Sequence, residues 1–366
     1  MNTTSRISQI TRIGEGMVHA ADLIRKAVMR LAWHSGFASS TRDRFGGLGS
    51  IIMLHRVRPD CISPLGVTRS LAITPVFLDQ IIVSLKSEGT EIVSMDEMAE
   101  RVKAGLPGKR RFVAITLDDG YNDNLNHAYP VFQKHNAPFT IYAAPGLIEG
   151  AAVLWWEIAE KLIAKADSIR IPGGPEWRCG TLFQKRATFH ALMRYFSFTL
   201  TELEQLPVLR EMCAQEGMIC GVSADQDVMN WKEMRQIASD PLCTIGAHTV
   251  HHYNLKKLTP DMVAQEMRLS ADMLEAELGK RPAHFAYPYG SSKAAGRREA
   301  EIAAAEGFVS AVTTRHGTIH AEHRANMWAL PRISINGRFQ KLVYARTMMS
   351  GVTTPIANAG RRVVQA

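Results

Sequence analysis

The chain has 366 residues, 43 Lys plus Arg against 35 Asp plus Glu, a formal charge of +8, and 46% apolar against 21% charged residues. That much apolar content at this length can bury a full core, which excludes intrinsic disorder and small disulfide scaffolds. The five cysteines, Cys61, Cys179, Cys213, Cys220 and Cys243, are scattered and form no CxxC pair, which argues against a zinc ribbon or dithiol redox site and for a reducing, cytoplasmic location.

Residues 1–48 read as an N-terminal segment. Met17, Ala20, Ala21, Ile24, Val28 and Leu31 fall at near-helical spacing, with Asp22, Arg25, Lys26 and Arg30 between them, which predicts an amphipathic helix. Its charges argue against a secretory signal. Its apolar side is expected to pack on the rest of the protein, with peripheral membrane contact as the alternative. No run of about 20 apolar residues occurs that would span a bilayer. The basic excess is spread along the chain, so nucleic acid is not an expected partner, while anionic glycans and lipid headgroups stay open.

From residue 49 short apolar runs alternate with helical periodicity. GSIIMLH (49–55) predicts a buried strand, Pro75 to Glu88 a helix, Glu91 to Ser94 a strand and Met95 to Ala104 a helix. FVAITL (112–117) predicts a strand, Asn122 to His135 a helix and FTIYA (139–143) a strand. Later come strands at 244–247, 284–287, 309–313 and 328–335, with helices at 260–278 and 297–306. Strands separated by such helices imply an α/β fold with a parallel sheet, expected as a barrel over 49–337. Residues 149–236 interrupt the alternation with three helical stretches around an IPGGPEW turn, and read as a mostly helical insertion. Residues 338–366 are expected as a C-terminal helix and a loose tail.

Two strand ends carry chemistry. Thr116-Leu117-Asp118-Asp119-Gly120 closes an apolar strand with adjacent carboxylates, and neighbouring side chains on extended backbone diverge, so one can bind a metal while the other faces substrate or water. The competing reading is a helix cap. Gly246-Ala247-His248-Thr249-Val250-His251-His252 closes another strand. If the chain turns helical there, His248 and His252 lie on one face and can grip one ion, with His251 directed elsewhere. One carboxylate and two imidazoles suit zinc, or Co²⁺, Ni²⁺ or Mn²⁺ among related divalent ions.

FVAITLDDGYND, IGAHTVHHYNL and FAYPYG (285–290) resemble, in order, three motifs of the polysaccharide deacetylases, the carbohydrate esterases with the nodulation protein B homology domain. The resemblance implies a distorted (β/α) barrel of the glycoside hydrolase and deacetylase type. It also implies Asp119, His248 and His252 as metal ligands, Asp118 as general base and the Tyr289 N–H as an oxyanion donor. Two departures stand out. The family's C-terminal Leu-x-His has no counterpart in ALPRISING, so the catalytic acid is expected from His55, whose strand resembles the circularly permuted poly-N-acetylglucosamine deacetylase branch, or else from His316. The arginine that many members carry before Pro-Tyr is replaced here by Ala286-Tyr287, and Arg332 is the expected substitute partner for the catalytic aspartate. Its replacement, as in Arg332→Met, is expected to damage turnover much more than folding. Trp155, Trp156 and Tyr287 are candidates for stacking on sugar, against a core-anchoring role for the tryptophans.

The implied activity is hydrolysis of the N-acetyl group of an N-acetylglucosamine-type oligosaccharide, polysaccharide or lipid-linked sugar. The alternatives are an amidase of the same superfamily acting on small amides, and a catalytically weak glycan-binding protein on the same fold.

Overall fold

The computed structural model describes residues 21–105, 110–220 and 227–365. Among them, seven parallel strands close into a barrel: β1 (Gly49–Leu54), β2 (Phe112–Asp118), β3 (Phe139–Ala143), β4 (Cys243–Ala247), β5 (His284–Ala286), β6 (Ser310–His316) and β7 (Leu330–Ser334). The ring runs β1-β7-β6-β5-β4-β3-β2 and closes where Gly49–Leu54 pairs residue for residue with Phe112–Leu117. The short strand Glu91–Val93 pairs with the first half of β2 on the edge whose second half takes β3. This is a distorted (β/α) barrel.

The period-2 alternation of β2 explains both its apolarity and its role. Val113, Ile115 and Leu117 face the surrounding helices, whereas Phe112 and Ala114 join the inner core with Ile51, Tyr142, Val312 and Leu330. Thr116 and Asp118 continue that inner row to the carboxyl end of the barrel. Tyr142 fills the interior because Gly246 faces it: a Cβ on Gly246 would meet the Tyr142 ring at 2.4 Å.

Several expectations change. The helix expected over 122–135 is present over 122–134 and carries a π-helical turn, Asn124–Ala128, ahead of Tyr129–Lys134. The turn expected at IPGGPEW is residues 171–175 of a hairpin that pairs Ser168–Arg170 with Glu176–Arg178. The tail after Gly351 is placed against the barrel: Thr353–Ala357 is helical, Val364 is buried, and the Val364 carbonyl bonds the His323 ring.

Residues 21–34 are helical, while Met17 and Ala20 of the predicted helix lie outside the described residues. This helix docks by the face that carries Asp22, Lys26 and Met29, and not by the expected Ile24, Val28 and Leu31. Arg338 pairs with Asp22, Lys26 lies over Phe339 and Arg30 over Tyr344, while Ile24, Val28 and Leu31 face outward. Met29, 6% exposed and part of the outer core, supplies the apolar contact together with the aliphatic stem of Lys26.

The insertion has its own core, built from α1 (Trp155–Lys165), α2 (Leu182–Phe198) and α3 (Glu202–Gln215). Within it, the Glu160 carboxylate is fully buried and accepts bonds from the Leu65 and Val67 amides and the Thr68 hydroxyl. It thus binds the insertion to the loop that follows β1. The helix Trp231–Ala238 belongs to the barrel, since Met234 and Ile237 join its outer core.

Candidate active site

The carboxyl ends of the strands open into a cavity of about 250 Å³ whose wall includes His55, Asp118, Asp119, His248, His252 and Tyr289. Loop residues after β1 (Val67, Thr68, Leu71) and insertion residues (Trp156, Phe189, Met193) complete it.

Asp118, the last interior residue of β2, is gripped by Arg332 from β7. Nη1 and Nη2 of Arg332 donate to the two Asp118 oxygens at 2.7 Å each, Nε donates to the Thr313 carbonyl at 2.9 Å, and Nη1 reaches Thr116 Oγ1 at 3.1 Å. Arg332 has 0% and Asp118 2% exposure, so each charge depends on the other for compensation. Burial works against the Asp118 charge, but the Arg332 guanidinium holds its carboxyl below the usual carboxylate range.

One residue on, the backbone turns. Asp119 has φ 73°, a left-handed conformation that swings its carboxylate away from Asp118 and toward the 248–252 loop. That loop is not helical, as the sequence suggested it could be. Thr249 (φ 59°) and His252 (φ 56°) curl it, and Thr249 Oγ1 accepts the His252 N–H at 2.9 Å. The imidazoles still converge, with ring centroids 4.9 Å apart. The His248 Nδ1 is 2.7 Å from the Ala286 carbonyl, an arrangement that places its proton there and leaves the Nε2 lone pair facing Asp119.

The Asp119, His248 and His252 donor atoms all lie within 4.8 Å of one another. Asp119 Oδ1 is 3.4 Å from His248 Nε2 and 3.3 Å from His252 Nε2. Bonds of about 2.0–2.1 Å in a tetrahedron put ligand atoms about 3.4 Å apart, so these separations fit a zinc-sized ion. Both Asp119 oxygens are buried without a hydrogen-bond donor among the described residues. A buried carboxylate without donors carries a large desolvation cost that a cation relieves. Burial lowers the His252 pKa, though Asp119 opposes this, which favours the neutral, ligating imidazole.

Sequence reasoning missed the residues that hold this geometry. Glu266 accepts the Val250 and His251 amides at 2.9 and 3.0 Å and lies 2.6 Å from His251 Nδ1, so His251 anchors the loop from outside. Glu266→Ala is expected to weaken metal affinity about 10- to 100-fold while the barrel stays folded, as read by metal titration and circular dichroism. On the other wall, Asn124 Nδ2 donates to the His55 carbonyl at 2.8 Å, and Asp123 takes the Val57 amide at 3.0 Å and Arg56 Nε at 2.8 Å. The polar run Asn122-Asp123-Asn124 after the paired aspartates was the available signal.

Three candidates lie elsewhere. Tyr287 alternates outward into the helical layer, where it is 1% exposed and donates to the Trp328 carbonyl, so it is not available to stack on substrate. Trp155 stacks on Phe196 and reaches the cavity only through its Nε1 bond to the Tyr289 hydroxyl, whereas Trp156, about 100° further round α1, lines the wall. His316 bonds Thr353 Oγ1, and burial pushes its pKa down to about 4, leaving it neutral and outside the cavity wall.

The sequence profile of the family described as Polysaccharide deacetylase matches residues 105–169 and 186–307, half of the chain. The match begins after His55 and ends before Arg332. No curated protein matches the chain in direct sequence comparison. Among solved structures, the Streptococcus pyogenes deacetylase PplD, in complex with acetate, is similar at 22% identity and TM-score 0.54, over 82% of this chain and 97% of that one. IcaB from Ammonifex degensii is similar at 19% identity and TM-score 0.51, over 82% and 98%. The putative polysaccharide deacetylase BA0330 from Bacillus anthracis is similar at 15% identity and TM-score 0.52, over 82% and 68%. At these identities the likeness is one of fold.

Proposed function

The chain belongs to the polysaccharide deacetylase family, hydrolases of carbon–nitrogen bonds other than peptide bonds, and on that premise we propose that it removes the N-acetyl group from an N-acetylglucosamine-type glycan or glycolipid. The observation that carries this reading is the single cavity wall shared by the Arg332-held Asp118, the donor set Asp119, His248 and His252, and His55.

Asp119, His248 and His252 would hold the divalent ion, zinc first by donor type, with Co²⁺, Ni²⁺ or Mn²⁺ as alternatives. When bound, such an ion acts as a Lewis acid toward a carbonyl and lowers the pKa of water toward about 7. Asp118 takes the proton of the attacking water, because Arg332 keeps it ionised and aimed. The backbone N–H of Tyr289, which makes no backbone–backbone bond among the described residues, donates to the amide oxygen as charge develops on it. His55 protonates the departing sugar amine. Trp156 offers an apolar face to the sugar ring.

The test is acetate release from chitooligosaccharides, with metal content measured on the same protein. Hydrolysis of small amides without release from any glycan would favour the amidase reading, and glycan binding without metal or turnover would favour the binding-protein reading. His55→Ala is expected to lower kcat by about 10² to 10⁴ with metal content unchanged, since general acid catalysis is typically worth that much. A His55→Ala enzyme as fast as the parent would remove it from the mechanism.

No helix among the described residues is long and apolar enough to cross a membrane. A cytoplasmic enzyme that meets lipid-linked sugar at the bilayer surface is the location this reading favours. The outward Ile24, Val28 and Leu31 support it as a shallow apolar contact.

A further inference from the structure

A second cleft, of about 690 Å³, shares Tyr289 with the first. Its wall carries Lys256, Lys257 and Lys293, and one carboxylate, Glu202. That carboxylate is buried and already satisfied: it takes the Gln205 amide at 3.0 Å, the Asn254 N–H at 2.9 Å and Lys257 Nζ at 3.1 Å. Glu202 and Lys257 therefore neutralise each other. Lys256 and Lys293 keep their charges, and no carboxylate pairs with either among the described residues. Lys256 uses one of its three protons on the Ser292 carbonyl at 2.6 Å, and Lys293 lies 5.2 Å from the centre of the Phe198 ring, which is 67% exposed.

We propose that this cleft is an anion subsite, so that the substrate carries a phosphate, pyrophosphate or carboxylate close to the N-acetyl sugar being hydrolysed. The argument is one of charge and placement. Two uncompensated ammonium groups on a concave wall focus potential into it, and an oxyanion there can take donors from both. Phe198 provides a flat apolar surface beside the cations for the sugar that bears the anion. Tyr289 lines both clefts, so one ligand can reach from the first into the second. The proposal rests on the deacetylase reading of the first cleft. It also assigns a use to part of the +8 charge, which the sequence shows as dispersed.

The experiment measures the dissociation constants of a neutral chitooligosaccharide and of the same oligosaccharide 1-phosphate by titration calorimetry, for the parent and for K256A/K293A. The expected result is about tenfold tighter binding of the phosphorylated ligand by the parent, an advantage that K256A/K293A loses while neutral-ligand affinity and thermal unfolding stay unchanged. Equal affinity for the two ligands in the parent, or a preference that survives in K256A/K293A, overturns the subsite. A glucuronate-containing oligosaccharide and a polyprenyl-pyrophosphate N-acetylglucosamine in detergent micelles identify the source of the anion, because the better binder of the two names it. Binding is read without turnover. Absence of acetate release from every ligand would therefore end the deacetylase reading, while the anion preference would stand or fall on its own titrations.

Discussion

His248→Ala and Asp119→Ala should each abolish metal retention and lower kcat/KM by more than about 10⁴, beyond the 10² to 10⁴ expected for His55→Ala, because they remove the ion that activates the water and not one proton transfer. The two variants should differ in stability. Asp119 is buried, its oxygens accept no hydrogen bond among the described residues, and its backbone is left-handed. Deleting its carboxylate removes a buried charge but also its contacts to the two imidazoles, and puts alanine at φ 73°, so the opposing effects leave metal-free Asp119→Ala melting close to the metal-free parent. His248→Ala also deletes the 2.7 Å contact to the Ala286 carbonyl and should melt below it. The parent alone should gain stability with added metal, about 2.7 kcal/mol at a hundredfold excess over Kd. Metal analysis and thermal unfolding with and without metal measure this independently of activity. An Asp119→Ala protein that keeps its metal and its metal-dependent gain in stability would exclude the Asp119, His248 and His252 centre.

The barrel was legible because its strands are buried on both sides and read as unbroken apolar runs, and because helical periodicity separates them. Phe139–Ala143, Met95–Ala104 and Pro260–Leu278 have the bounds their residues suggested. The hairpin around 171–175 was not legible, since its strands are three residues each, too short for the alternation Ser-Ile-Arg and Glu-Trp-Arg to stand out. The orientation of the N-terminal helix also escaped, because periodicity shows that a helix has two faces and not which one docks. At the site, motif spacing brought Asp118, Asp119, His248 and His252 together but suggested a helical mechanism for the histidines. The loop obtains the same convergence through left-handed residues and Glu266, a residue 14 positions beyond His252 that no local pattern connects to it. Tyr287 failed as a candidate for a related reason. Its aromatic character matched the chemistry, while strand alternation directed it outward.

Arg332→Met should cost both folding and turnover, unlike the sequence-based expectation of a defect mainly in turnover. The difference lies in burial. A surface arginine beside a carboxylate contributes about 0 to 1 kcal/mol, whereas removing one partner of a fully buried pair typically costs about 3 to 5 kcal/mol, because the other charge is left in a low dielectric. Arg332 is 0% exposed and also serves the Thr313 carbonyl and Thr116 Oγ1, so its loss leaves Asp118 and these two groups without a donor. Turnover falls for the same reason, since an unpaired buried Asp118 is neither held in position nor kept ionised as a base. Two further variants separate the effects. Arg332→Lys keeps a charge but not the paired 2.7 Å bonds, and should recover part of the stability with kcat still depressed about 10- to 100-fold. Asp118→Asn in the Arg332→Met background removes the stranded charge and should restore stability toward the parent without restoring any turnover. Urea denaturation with acetate release on all three measures both axes. Parent-like kcat in folded Arg332→Met would show that Asp118 needs no partner to act, and would take Arg332 out of the site.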